Sequence, residues 1–131
     1  MPEDAQQPDQ DAVDLAHAMF DLARDGAAER LASYVDAGVP VDLTDAHGNT
    51  LLMLAAYHGR ATVVRALTGR GADPDRLNDQ GQSPLAGAVF KGEEDVVRVL
   101  LTAGADPDAG TPTARATARM FGREDLVPPA G

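Results

Sequence analysis

The feature that most constrains this chain is an internal repeat with a period of 33 residues, running from Ala46 to Asp108. Sliding the sequence by that period lays Gly48-Asn49-Thr50-Leu51-Leu52 on Gly81-Gln82-Ser83-Pro84-Leu85. The same shift lays Gly59, Val63-Val64-Arg65 and Leu67 on Gly92, Val96-Val97-Arg98 and Leu100. It also lays Gly71-Ala72-Asp73-Pro74-Asp75 on Gly104-Ala105-Asp106-Pro107-Asp108. Of the 30 pairs from Ala46/Asp79 to Asp75/Asp108, 13 are identical without a gap. A period of that length means small units stacked in a row, each burying its apolar face against a neighbour.

Each unit reads as two helices and a connection. Thr50 and Ser83 are N-cap residues, and Pro84 suits a first helical position, where its missing N–H is no loss. The first helices are predicted over Leu51–His58 and Pro84–Lys91, the second over Ala61–Arg70 and Glu93–Ala103. In the second helices Val63, Val64, Leu67 and Val96, Val97, Leu100, Leu101 form an apolar stripe at helical spacing. Ala55 and Ala88 let the paired helices approach closely. The connections are fingers: a short arm (Val39-Pro40-Val41-Asp42, then Ala72-Asp73-Pro74-Asp75) leads to a tight turn at Gly48 or Gly81, both expected at positive φ.

The pattern continues, altered, at both ends. From Asp11, a plausible N-cap, Leu15, Ala16, Met19, Phe20, Leu22 and Ala23 fall at helical spacing until Gly26 stops them. A second helix follows with Leu31, Ala32 and Val35 inward and Gly38 as its left-handed terminal residue. The interval from Gly26 to Gly38 equals that from Gly59 to Gly71, so residues 12–44 are a first repeat with a longer, acidic-faced first helix. After Asp108 the shift drops to 30, so the third finger is three residues short. Thr113-Ala114, Ala118, Gly122 and Leu126-Val127 then match Ser83-Pro84, Ala88, Gly92 and Val96-Val97. Pro128 and Pro129 end the chain where the last second helix would continue. Leu126 and Val127 are therefore expected to leave the preceding repeat partly uncovered, while Arg115 and Arg119 supply the polar outer face of a terminal repeat.

The period and the openings Thr50-Leu51-Leu52-Met53 and Ser83-Pro84-Leu85-Ala86, close to T-P-L-H, resemble the ankyrin-repeat family. The resemblance implies an all-α solenoid of helix-turn-helix units joined by β-hairpin-like fingers, about 3.5 to 4 repeats including caps. The expected layout is a disordered acidic tail over 1–10, a repeat domain over 11–127 (12–44, 45–77, 78–110 and a partial 111–127) and a short tail over 128–131. The chain departs from the family pattern where Met53 and Ala86 replace the usual histidine and Leu51 replaces the proline. Gly87 sits mid-helix where the preceding repeat has Leu54. A glycine there costs roughly 1 kcal/mol against alanine, and close backbone packing is the reason expected for it.

Composition removes most function classes. Aromatic residues are 4% and Trp is absent, which suits helices packed with Leu, Val and Ala; Cys is absent, so thiol and disulfide chemistry is excluded. No signal peptide is visible in Met1–Gln10, and no run approaches the ~18 apolar residues of a membrane span. A cytoplasmic location is the expectation. The net charge is −10, and residues 1–14 hold five acids and no base, leaving 16 acids and 11 bases, or −5, elsewhere. That sign repels phosphate backbones, so neither nucleic acid nor an anionic membrane is an expected partner. His17, His47 and His58 lack partners at ligand spacing. Glu93-Glu94-Asp95 begins a helix, where carboxylates complement the macrodipole. Gly69-Arg70-Gly71 lies at a helix end and is no phosphate loop. Ser33 and Ser83 have no nucleophile context. The chain is not expected to be an enzyme, and no cofactor or metal is expected.

The resemblance implies a protein-binding scaffold or adaptor that uses its finger tips and the exposed side of each first helix, the concave face of the solenoid. Position by position, that surface is Arg24 and Asp25; Ala46, His47, Asn49, Tyr57 and His58; Asp79, Gln80, Gln82, Phe90 and Lys91; and Met120 and Phe121. The expected partner is a protein, neutral or basic, bound by a monomer. The alternatives are a structural subunit that self-associates through an open repeat end, and an accessory factor of an enzyme encoded nearby. Tyr57 and Phe90 share one repeat position and are expected side by side along the groove, flanked by His58 and Lys91.

Overall fold

Hydroxyl side chains set where each repeat begins. The Thr50 hydroxyl accepts from Met53 N at 3.0 Å, that of Ser83 from Ala86 N at 3.1 Å and that of Thr113 from Ala116 N at 2.9 Å. Each satisfies a backbone donor that the first helical turn would otherwise leave orphaned. The structure, a computed structural model, describes residues 2–129, with side chains from residue 10 onward. Its helices are α1 (Pro2–Asp25), α2 (Ala28–Asp36), α3 (Leu51–Tyr57), α4 (Ala61–Thr68), α5 (Pro84–Lys91), α6 (Glu94–Thr102) and α7 (Ala114–Met120). A 3-10 turn over Glu124–Leu126 stands where an eighth helix would begin.

The helices form two layers. In one, α1 packs on α3, α3 on α5 and α5 on α7; in the other, α2 packs on α4 and α4 on α6. A single apolar core runs between them, from Met19, Phe20 and Leu31 through Leu52, Val63, Val64 and Leu67 to Leu85, Val96, Val97 and Leu100. The stripe expected from the second helices is thus the core. Met53 and Ala86, in the place of the family's histidine, are buried.

The helix boundaries differ from the expected ones in places. Asp11 lies inside α1 and does not cap it, since the helix begins upstream; Gln10 Nε2 donates to Asp14 Oδ1 at 2.9 Å, one turn on. Most of the tail expected over 1–10 falls outside the residues whose side chains are described, as do Ala130 and Gly131. Helix α4 ends at Thr68, short of Arg70, because Ala72 N turns back to Leu67 O at 3.0 Å. His58 and Glu93 flank α3 and α6 and lie outside them.

The fingers carry little β structure: among the described residues the β pairing is one isolated bridge, Thr44 to Thr50. Side chains shape them. Asp45 Oδ1 accepts from His47 N and Asn49 N, both at 2.9 Å, and Asn78 Oδ1 does the same for Gln80 N and Gln82 N, both at 3.0 Å. Successive fingers then join edge to edge. Asp79 N donates to His47 O and Thr111 N to Gly81 O, each at 3.0 Å, and Asn78 Nδ2 donates to Asn49 Oδ1 at 2.9 Å. Glycine is required at this seam. Gly48 has φ +77°, and a Cβ on it would lie 2.5 Å from Asp79 Oδ1 and 2.9 Å from Asp79 N. Gly110, in the shortened third finger, has φ +82° and would set a Cβ 2.9 Å from Gly81 O.

The C-terminal end is more covered than expected, although Leu101 of α6 remains half-buried beside a small depression. Val127 is 4% exposed and belongs to the core, with Leu126 packed against it. Arg115 fastens the segment by donating to Pro128 O at 2.5 Å and to Asp108 Oδ1 at 2.9 Å. Arg123 pairs with Asp125 at 3.1 Å and with Glu94 at 3.4 Å. Helix α7 packs on α5, and the 3-10 turn that follows it meets α6.

Ion pairs brace the repeats. Arg70 of the second repeat holds Asp36 of the first in a two-pronged bond of 2.8 and 3.1 Å. The arginine hydrogen bonds hold Asp36, Asp108 and Asp125 below the ordinary carboxylate value of 3.8. A depressed folded-state pKa contributes stability that is complete above the unfolded value and lost as pH falls through the folded one. Urea midpoints are therefore expected to hold steady down to about pH 5 and to drop below pH 3.8, with a shallower drop in Asp36→Asn. An identical acid profile in that variant would show that the Arg70 pair does not couple to folding.

Candidate functional site

The first helices α3, α5 and α7 end at one edge of the molecule, and they set their last residues in two columns. The three-residue slip brings Met120 under Phe90 and Phe121 under Lys91, so the columns read Tyr57, Phe90, Met120 and His58, Lys91, Phe121. Every one of these side chains is exposed. Tyr57 is 38%, Phe90 55%, Met120 69% and Phe121 51% exposed, so that four of the exposed large apolar side chains stand together in one strip.

The strip is organised by contacts from one repeat to the next. Lys91 Nζ stands 5.0 Å from the centre of the Tyr57 ring. Phe121, in the equivalent place one repeat later, meets Phe90 edge-on at 5.5 Å and 78°. His58 sits edge-on to Tyr57 at 5.8 Å and 80°. Tyr57 and Phe90 line one depression along the groove, with His58 and Lys91 at the Tyr57 ring and Phe121 at the Phe90 ring. Cation–π and edge-to-face geometry both suit the charge distribution of an aromatic ring.

Two adjoining depressions lie along this edge. One, of 390 Å³, is apolar, with Met53, Tyr57, Gly87, Phe90, Met120 and Phe121 among its walls. The other, of 530 Å³, is polar and is lined by His47, Asn49, His58, Asn78, Asp79, Gln80 and Gln82 with Tyr57. Met53, Tyr57 and Gln82 line both, so the two form one groove between helix ends and fingers.

Most of the residues expected to face a partner meet here: His47, Asn49, Tyr57, His58, Asp79, Gln80, Gln82, Phe90, Met120 and Phe121 line the groove, and Lys91 lies on Tyr57. Arg24, Asp25 and Ala46 do not line it. Arg24 is engaged at the end of α1, paired with Asp21 at 2.9 Å, while its carbonyl accepts from Arg60 Nε at 2.7 Å. Sequence reasoning missed Met53, Leu54, Asn78, Ala86, Gly87, Pro112 and Thr117 as lining residues. Gly87 carried a signal as a glycine in mid-helix, and Met53 and Ala86 carried one as replacements of the family's histidine.

The chemistry of the groove is that of contact. Among the described residues no three His, Asp or Glu side chains gather as metal ligands. Burial raises the Asp45 pKa, yet bonds from Asn49 and His47 outweigh it and keep the carboxyl ionised as a turn acceptor. A larger depression of 710 Å³ lies elsewhere, a seam between α4 and α6 bordered by Thr62, Arg65, Thr68, Asp95 and Arg98. It lacks the large exposed apolar side chains on which interfaces concentrate their energy. No helix among the described residues is long and apolar enough to cross a membrane.

Comparison with known proteins gives the same architecture. The family model for ankyrin repeats (3 copies) matches residues 19–111. An ankyrin repeat protein of Pseudomonas aeruginosa is 44% identical over 57 residues, 44% of this chain and 33% of its own length. Ankyrin repeat domain-containing protein 29 of Homo sapiens is 48% identical over 60 residues, 45% of this chain and 20% of its own. The protein of that name in Danio rerio is 45% identical over the same shares. The matched stretch spans a third or less of each of these relatives.

Proposed function

The chain belongs to the ankyrin-repeat family, whose repeats are generally modules of protein–protein interaction, and we propose that it binds a protein partner in the groove between its first helices and its fingers. The observation that carries the reading is the strip Tyr57, Phe90, Met120 and Phe121. Four large apolar side chains stand exposed in one row, rimmed by Asn49, Asp79, Gln80 and Gln82. An apolar centre with a polar rim is how binding interfaces are built. The net charge of −10 favours a neutral or basic partner, with association that weakens as salt rises. The protein acts as a monomer in this reading, which the burial of Val127 at the C-terminal end supports.

The experiment is affinity capture of host proteins on the immobilised chain beside its Phe121→Asp variant. Phe121 is 51% exposed, so a charge there leaves the fold intact and places an unpaired carboxylate in the apolar strip. A protein retained by the wild type is expected to fall at least tenfold on the variant, in line with a loss above about 1.4 kcal/mol. Equal retention would overturn the assignment of the groove. Light scattering over a range of concentrations is expected to hold at the mass of one chain, 13.6 kDa. A mass that rises with concentration would favour self-association.

A further inference from the structure

One column of the groove reads Leu54, Gly87, Thr117 in successive first helices. Leu54 lines the polar depression and Thr117 is buried, whereas Gly87 lies at the apolar one with no side chain to fill it. Nothing in the fold demands glycine there. Gly87 has no positive φ, and its N–H makes an ordinary helical bond to Ser83 O at 3.1 Å. A Cβ on it would meet Met53 Cε at 3.2 Å and Tyr57 Cδ1 at 3.7 Å. The tighter contact is with the tip of a methionine, the most yielding side chain of a core. Alanine would fit with a small shift of Met53 and would be the better helix former. The glycine therefore carries a local disadvantage that its backbone does not account for, and the one tight contact a Cβ would make is with the movable tip of Met53.

What the missing side chain leaves is space. The 390 Å³ depression lies over α5 at Gly87, between the Tyr57 ring, the Phe90–Phe121 pair and Met53, and none of its lining residues carries a formal charge. A charged group entering it would lose hydration with no counter-charge in return. We propose that Gly87 is the floor of a receptor pocket for one large apolar side chain, Leu, Met or Phe, presented by a protein partner with basic residues on either side. The basic flanks follow from charge. Asp79 lines the adjoining depression and the chain as a whole carries −10, whereas Lys91 stands at the Tyr57 ring, so a cationic segment is drawn toward the Asp79 side while its uncharged anchor fills the pocket. This rests on the reading of the groove as the binding face and names what that face selects.

The test uses synthetic peptides, Ac-Lys-Ala-X-Ala-Lys-amide with X as Leu, Phe, Ala or Asp, titrated into protein carrying labelled methionine methyls. Met53 lies at the floor and Met120 at the rim, so their methyl resonances report from both sides of the pocket. The Leu and Phe peptides are expected to shift both signals saturably, and the Ala and Asp peptides are not. Gly87→Ala is expected to weaken the Leu peptide about tenfold, the effect of one methylene too many in an apolar pocket. The same variant should melt about 3 °C higher, as replacing a helical glycine predicts. Higher stability with lower affinity is a combination that a merely structural glycine cannot produce. Gly87→Leu should abolish the shifts; should that variant unfold, Gly87→Ala still decides. Equal shifts in wild type and Gly87→Ala, equal shifts from the Asp or Ala peptides, or no shift with any peptide would each overturn the pocket. Capture separates the two levels: a partner held by Gly87→Leu but lost by Phe121→Asp leaves the groove standing and removes the pocket. A partner held by both variants removes the groove itself.

Discussion

Leu100→Ala is expected to destabilise the protein by about 2–5 kcal/mol, and Leu67→Ala by a similar amount. Both leucines are completely buried, in α6 and α4, at the same repeat position. Each helix packs against its partner first helix and against the second helix of a neighbouring repeat, so a shortened side chain leaves a cavity that three elements border. Those elements cannot all collapse into it, because the finger bonds and the Arg70–Asp36 pair fix their spacing. Domains of this size have roughly 5–15 kcal/mol in total, and a stack of so few units spreads that over few interfaces. Urea melts should show the midpoint moving strongly. Leu101→Ala, one residue along and half-buried, is the control and should cost about 1 kcal/mol or less. Shifts of equal size at Leu100 and Leu101 would show that the stripe is not the core.

The parts of the structure that were legible in the sequence are those governed by local rules. Thr50, Ser83 and Pro84 announced helix starts because a cap or a proline acts within one turn, and α5 begins and ends where it was expected. Gly26, Gly38, Gly48 and Gly81 announced turns because only glycine adopts positive φ freely, and all four do so. The 33-residue period then carried the core from one repeat to the next. What was not legible depends on how far apart non-adjacent segments end up. The slip after Asp108 was visible, but that it would draw Val127 into the core and Phe121 against Phe90 depends on the path of a finger whose Thr111 N bonds to Gly81 O. Arg24 and Asp25 were placed on the binding surface by repeat position alone. They do not line the groove formed by the later repeats, and Arg24 is engaged instead with Asp21 and, through its carbonyl, with Arg60.

Tyr57→Ala combined with Phe90→Ala is expected to abolish partner binding while leaving the fold in place, the reverse of the leucine result. The two rings occupy one repeat position, are 38% and 55% exposed, and neither belongs to the apolar core. Within the protein the double change removes one cation–π contact, from Lys91, and two edge-to-face contacts, with His58 and Phe121. At exposed sites such contacts are worth about 0.5–1 kcal/mol each. Against a partner the same rings would be covered on their remaining faces, and aromatic anchors in that setting carry about 2 kcal/mol or more apiece. Two of them amount to roughly a thousandfold in affinity, with each 1.4 kcal/mol a factor of ten. The sign of the difference decides the role of the rings. Affinity that collapses while the melting temperature moves by only a few degrees makes Tyr57 and Phe90 the anchors of the interface. A double variant that binds as the wild type places the interface elsewhere, and one that unfolds makes the rings part of the packing that holds α3 to α5.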